Sequence, residues 1–232
     1  MTGSTAGIGL ETVKLLRAEG AVVVSTGRSG GDVQADLAKA GEPERVVQEV
    51  LDRHGRLDVL VNNVGGTEIR KLEELDDGDW QASFELNLMT AVRATRAALP
   101  GMRARGVGSI VNVSSTAAKR PSASMPDYSV MKAAMLSFSR LVADLYAKDG
   151  VRCNAVTPGP TATGARLCEG GLADQQGDRE EVLKKVGAGR PLGRLAEPGE
   201  IAAVIAFLCS PRASYVTGAA WSADGGTVPI II

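Results

Sequence analysis

Aromatic side chains are nearly missing from this 232-residue sequence, where two Trp, three Tyr and three Phe make up 3%. A core without them rests on Val, Leu, Ile and Ala, small groups that let helices pack closely against a sheet. Histidine occurs once, as His54. A Ser-His-Asp hydrolase would need that residue, but it precedes Gly55 at a helix end, where a cap and dipole role accounts for it. The three cysteines, Cys153, Cys168 and Cys209, have no metal-like spacing, and their odd number argues against a disulfide framework, so no metal site is expected. Neither sign of charge dominates: 26 basic against 27 acidic residues leave a net charge of −1. No overall field recruits nucleic acid or an anionic membrane, and no basic stripe with interleaved aromatics is visible. No apolar run approaches the roughly 18 residues that span a bilayer. Nor does the start read as a signal peptide, because Met1-Thr2-Gly3-Ser4 runs straight into a glycine loop. These absences predict a soluble, cytoplasmic protein forming a single domain over residues 1–232, large enough to bury a core unaided.

What is present is alternation. Val22–Ser25, Val59–Val61, Ser109–Val113 and Val151–Val156 are short, apolar and rich in valine, as suits strands buried on both faces of a parallel sheet. Between them, helical patterns run over about Ile8–Glu19, Glu44–His54, Trp80–Arg103 and Tyr128–Lys148. A further helix opens at Glu197-Pro198-Gly199-Glu200, with Pro198 in a first-turn site that needs no N–H donor. The pattern predicts an α/β fold, a doubly wound parallel sheet with helices on both faces. Gly159–Pro191 stands apart, rich in Gly, Thr, Asp and Gln, with a helical stretch around Glu180–Val186. A long connection after a strand's C-terminal end, where α/β ligands sit, reads as a substrate lid over about residues 160–191.

Chemistry concentrates at four places. Thr2-Gly3-Ser4-Thr5-Ala6-Gly7-Ile8-Gly9 opens the first helix, where glycines permit close approach to a pyrophosphate that the helix N-terminus favours. Asn62-Asn63-Val64-Gly65-Gly66 follows a strand, and its side-chain amides can bridge to a neighbouring loop. Tyr128 and Lys132 lie four apart on one helix face, so a cation adjoins a phenol whose ordinary pKa of about 10 hinders proton exchange. Ser115 follows the Ser109–Ser114 run, where a hydroxyl could hold a carbonyl or alcohol oxygen.

Taken in chain order, as the glycine loop, Asn62–Gly66, Asn87, Ser115, Tyr128-x-x-x-Lys132 and Pro158-Gly159, these elements resemble the short-chain dehydrogenase/reductase family from residue 2 to about residue 228. The tail, Pro191–Pro198 and Tyr215-Val216-Thr217-Gly218 with Asp224-Gly225-Gly226, is similar to its β-ketoacyl-acyl-carrier-protein reductase-like branch. The resemblance implies a Rossmann-like fold and hydride transfer between a nicotinamide cofactor and a ketone, β-ketoacyl group or secondary alcohol. Tyr128 would be the general acid or base, Lys132 would lower its pKa and hold the nicotinamide ribose, and Ser115 would orient the substrate oxygen. Asn87 would anchor a water joining Lys132 to solvent. Gly3, Gly7 and Gly9 would line the pyrophosphate, Asp36 the adenine and Asn63 the adenosine ribose, with Ser4, Thr5, Ile8, Leu37 and Gly65 completing that side. Pro158, Gly159, Thr161 and Thr163 would flank the nicotinamide. NAD users place an acid after the second strand, whereas Ser25-Thr26-Gly27-Arg28 offers an arginine for a 2′-phosphate. NADP(H) is therefore favoured, with NAD(H) possible. The family also implies a homodimer or homotetramer through the Trp80–Arg103 and Tyr128–Lys148 helices and the C-terminal segment.

Two departures from the family pattern shape the expectations. The sequence begins inside the glycine motif, so the first, central strand is missing, and an upstream start is expected. Only Gly27–Asp32 separates the Val22–Thr26 run from Val33–Asp36, too short for the usual crossover helix. The adenosine side should be thin and cofactor binding weak. A non-catalytic binding or assembly protein is the alternative that these losses support.

Overall fold

Valine-rich runs become strands here only where a neighbour exists to pair with. The computed structural model describes residues 1–229. Along the chain come α1 (Gly7–Ala18), β1 (Thr26–Gly27), β2 (Val33–Gln34), α2 (Glu42–His54), β3 (Val59–Asn62), α3 (Asp77–Phe84) and α4 (Thr90–Arg105). They are followed by β4 (Gly108–Val113), α5 (Pro126–Tyr146), β5 (Val151–Pro158), α6 (Gly164–Leu167), α7 (Arg179–Ala188), α8 (Pro198–Cys209) and β6 (Ala220–Ala223). β3, β4, β5 and β6 form one parallel sheet in that order, and β1 and β2 form a separate parallel pair.

Register explains how two faces arise from near-continuous apolar strands. Leu60, Ile110 and Cys153 stand side by side across β3, β4 and β5. They pack with Ala94, Leu99 and Met102 of α4 and Val142 of α5. One residue further along, Val61 and Val111 point the other way, where Ile201, Ile205 and Leu208 of α8 cover them, with Ile8 and Leu16 of α1 alongside. The doubly wound α/β arrangement predicted from the alternation is the one observed. Among the described residues no helix is long and apolar enough to cross a membrane.

The Val22–Ser25 strand is a correction. These residues are not in a strand, and the Val22, Val23 and Val24 amides donate to no backbone acceptor among the described residues. No described strand lies beside them. Met1 and Thr2 bridge only one end of the gap: Thr26 N–H donates to Met1 O (3.1 Å) and Thr2 N–H to Val61 O (3.0 Å). Beyond them lies a cavity of about 450 Å³ walled by Val22, Val23, Val24, Val59, Leu16 and Val50. The crossover is as short as the sequence implies. A five-residue loop returns the chain so that Thr26 pairs with Val33 and Gly27 with Gln34. Gly31 makes the turn with φ +98, and the Asp32 carboxylate accepts from Ser25 N–H (2.8 Å) and Ser25 Oγ–H (2.7 Å).

The helix expected over Trp80–Arg103 is also different in kind. A π-helical turn, Glu85–Met89, separates α3 from α4. The lid region holds more structure than its composition suggests, with α6 and a 3₁₀ turn at Asp174–Gln176 preceding α7.

Candidate active site

All the strands run parallel, so their C-terminal ends and the loops that follow gather at one edge. Here α1 begins. The residue that caps its N-terminus, Ala6, offers no side-chain hydrogen bond, so the first-turn N–H groups are free for an anion. Gly3 and Gly7 take φ of +57 and +52, which L side chains rarely adopt. A Cβ on Gly9 would stand 2.3 Å from Gly3 O and 2.8 Å from Asn63 Nδ2, so Gly9 is there for packing within the loop. Asn63 fastens this loop to β3, donating from Nδ2 to Gly3 O at 2.7 Å while its own N–H donates to Thr2 Oγ1 at 2.9 Å.

The glycine loop borders a cleft of about 680 Å³, and Gly3, Thr5, Gly7, Ile8, Arg28, Asp36, Leu37, Asn63, Gly65 and Thr163 all line it. Ser4 and Gly9 do not. Ser4 is buried and turned inward, its Oγ–H donating to Met1 O at 2.9 Å. The cleft's size, its uncapped helix N-terminus and its glycine wall fit a dinucleotide. The Asp36 carboxylate accepts from Ala38 N–H through Oδ1 alone, at 3.3 Å. Arg28 has no ion-pair partner among the described residues.

A second cavity of about 270 Å³ opens from the first and shares Ile8, Asn63, Gly65, Gly66, Thr163 and Ala165 with it. Ser115, Tyr128, Lys132, Pro158, Gly159 and Thr161 meet on its wall. Lys132 is 2% exposed and donates from Nζ to Val113 O at 3.0 Å. Burial brings its pKa down to about 8. Its ammonium lies 5.6 Å from the centre of the Tyr128 ring, on the next helical turn. Burial raises the Tyr128 phenol above its ordinary value, while the Ser115 hydroxyl and the charge of Arg166 pull it back. The cation opposing burial at the phenol is thus Arg166, from α6, in addition to the expected neighbourhood of Lys132.

Asn87 lies outside both cavity walls, on the π-helical turn. It accepts from Gly66 N–H and donates to Gly66 O, each at 3.0 Å. A Cβ on Gly65 would be 2.9 Å from Lys132 Nζ and 3.0 Å from Asn87 Oδ1, so both polar groups converge on that glycine. π turns recur at functional sites because the extra residue redirects a side chain.

Sequence reasoning missed two features. Asn62 Nδ2 donates to Asn112 Oδ1 (2.8 Å), and Asn112 Nδ2 donates to Ser139 Oγ (2.8 Å), a buried polar chain crossing from β3 to α5 under the site. Arg166 also went unseen, because nothing in the local pattern of the 160–191 segment marks it.

Comparison with known proteins decides the family. A family model described as enoyl-(acyl carrier protein) reductase matches residues 3–228. D-beta-hydroxybutyrate dehydrogenase of Cupriavidus necator is 34% identical over 98% of this chain and 96% of its own length. The chain belongs to the short-chain dehydrogenase/reductase family. A 3-oxoacyl-acyl-carrier-protein reductase of Synechocystis sp. is likewise 34% identical, covering 98% of this chain and 95% of the relative. The crystal structure of L-sorbose reductase from Gluconobacter frateurii, complexed with NADPH and L-sorbose, superposes with a TM-score of 0.91. It is 34% identical, over 100% of this chain and 96% of that one. This short-chain dehydrogenase/reductase is accordingly an NAD(P)-dependent oxidoreductase of the ketoacyl-reductase-like kind. Membership speaks against the non-catalytic alternative.

Proposed function

We propose that this short-chain dehydrogenase/reductase is an NADP-preferring reductase of a ketone or β-ketoacyl group, also able to oxidise the corresponding secondary alcohol, with Tyr128 as general acid and base. One observation carries the reading: Ser115, Tyr128 and Lys132 share a cavity that opens directly into the glycine-loop cleft. When bound, the nicotinamide supplies or accepts the hydride. The chain's own work is with the proton. Ser115 holds the substrate oxygen against the phenol. As the carbonyl is reduced, the Tyr128 O–H bond breaks and its proton joins the carbonyl oxygen, leaving a phenolate. Lys132 and Arg166 stabilise that negative charge. A water held at the Asn87–Gly66 turn returns a proton by way of Lys132. Burial favours the neutral phenol at neutral pH, the form that reduction requires. Oxidation runs the same steps backward.

The preference for NADP rests on Arg28. It lines the adenosine end of the cleft without an ion-pair partner among the described residues, and Asp32, four residues further on, is engaged by Ser25 and Arg17. The cofactor set is completed by Pro158, Gly159, Thr161 and Thr163 beside the nicotinamide, with residues 160–191 closing over the substrate as a lid. The exposed Val130, Leu141 and Leu145 of α5 support a homodimer or homotetramer built on that helix. We place the enzyme in the cytoplasm.

Fluorescence titration and steady-state kinetics test this reading. NADPH should be preferred to NADH by at least about tenfold, and Arg28→Ala should remove roughly 10- to 100-fold of NADPH affinity. The thin adenosine side predicts an NADPH dissociation constant above the low micromolar range. A clear NADH preference overturns the cofactor assignment. Tyr128→Phe should lower kcat by roughly a hundred- to ten-thousand-fold with NADPH affinity little changed; unchanged turnover overturns the role of Tyr128.

A further inference from the structure

Beyond Ser115 the active-site cavity continues into a pocket of about 420 Å³ whose wall includes Arg166 and Arg190, with exposed Arg120 at its margin. No aspartate or glutamate lines it. Arg166 faces both ways, lining this pocket and the cavity that holds Tyr128. Among the described residues, the side chains of Arg166 and Arg190 have no hydrogen-bond or ion-pair partner, and Nε of Arg190 is buried and unsatisfied. Acids are close along the chain: Asp174, Asp178, Glu180 and Glu181 sit in the same segment, yet Asp174 pairs with Arg179 instead. Arg166 and Arg190 also repel one another, and burial adds to the cost of holding the Arg166 charge. Two half-buried guanidinium groups without a counter-ion are unfavourable unless an anion completes them, and guanidinium is the group best shaped to grip a carboxylate. Ile69, Met125, Leu172 and Val186 form the apolar part of the remaining wall and suit a short aliphatic skeleton, while Thr116, Ser122, Ser124 and Gln176 line the rest.

Resting on the carbonyl-reductase reading above, we propose that the substrate is an oxo acid, or in the reverse direction a hydroxy acid, whose carboxylate is held by Arg166 and Arg190 while its carbonyl lies at Ser115 and Tyr128. The dinucleotide's phosphates are not the anion these residues await: the glycine-loop cleft takes in Gly164 and Ala165 but neither Arg166 nor Arg190, and Arg190 is also absent from the cavity that Pro158, Gly159 and Thr161 line.

The test uses the full chain with NADPH and a series of aliphatic 3-oxo and 4-oxo acids, each paired with its neutral methyl ester and, for 3-oxo members, a neutral thioester. The acids should be reduced with kcat/KM roughly 10- to 100-fold above their partners. Arg190→Gln should erase most of that preference while leaving ester turnover and NADPH affinity within about threefold; Arg166→Gln, which also removes the charge beside Tyr128, should lower ester turnover and lower acid turnover further, and Arg166→Lys should restore part of both. Esters or thioesters reduced as well as the acids overturn the proposal and leave the reductase reading intact. So does a loss in Arg190→Gln that falls equally on acid and ester, or on NADPH binding. Calorimetric titration of the NADP-loaded protein with a saturated carboxylate and its amide decides the question without turnover. Carboxylate binding that vanishes in the double Gln variant supports the anion site even if no oxo compound is reduced, an outcome that would sink the reductase reading alone. Equal affinity for carboxylate and amide overturns the anion site.

Discussion

Gly65 shows how much one missing side chain can matter. Lys132 Nζ and Asn87 Oδ1 both come within 3.0 Å of where its Cβ would be. Lys132 has little room to retreat, being 2% exposed and tied to Val113 O. Gly65→Ala should therefore displace the ammonium from the Tyr128 phenol and lower kcat by about tenfold or more, with a smaller change in KM. Gly66→Ala is the control. Its Cβ would meet only Leu86 Cδ2, at an ordinary 3.6 Å, and kcat should stay within about twofold. Equal losses in both variants would remove Gly65 as the positioning residue. In the sequence, Gly65 reads as one of two turn glycines, and nothing local distinguishes them.

Among the secondary elements, the contrast between β4–β5 and the Val22–Ser25 segment is one of neighbours rather than composition. Both are rich in β-branched residues. β4 has β3 on one side and β5 on the other, and its six residues are all buried. Val22–Ser25 has a cavity where its partner would be, and Val22 is 82% exposed. Unpaired backbone amides exchange with solvent through local opening, far below the global unfolding barrier. Hydrogen exchange should find the Val22, Val23 and Val24 amides roughly 100-fold or more less protected than those of Val111 and Val113. Comparable protection would mean that the segment is paired in solution. The π turn is the opposite case. Glu85–Met89 has ordinary helix-forming residues, and the register shift that seats Asn87 against Gly66 is decided by packing.

For the molecule as a whole, alkaline pH should be destabilising, and two core thiols are the main reason. Burial pushes the Cys153 and Cys209 thiols from 9.0 up to about 12. The folded state keeps protons there that the unfolded chain releases, so the stability these thiols contribute is full below pH 9 and drains between pH 9 and 12. Lys132 acts in the other sense. Its folded value of about 8, against 10.5 unfolded, means that its burial penalty is relieved as pH rises through that interval. The two effects oppose each other up to about pH 10.5, above which only the thiols continue. Urea midpoints at pH 8 and pH 11 should show a drop in the parent chain and a smaller drop in the Cys153→Ala/Cys209→Ala double variant, whatever its absolute stability. Equal drops would assign the alkaline loss to other groups.

The sequence by itself determined the α/β class, the parallel sheet and the short return between β1 and β2. These follow from periodicity, chain length and the reach of a six-residue connection, all of which are local. It also offered Ser115, Tyr128, Lys132 and the glycine loop as candidates, and their joint order along the chain tied them together through the family resemblance. The tertiary structure decided what depends on residues distant in sequence. The Asn62–Asn112–Ser139 chain, the clasp of Asn87 on Gly66 and the meeting of Arg166 with Tyr128 each join segments that no window along the sequence contains. The charge environment of the phenol belongs to the same class, because burial and an arginine 38 positions away set it together.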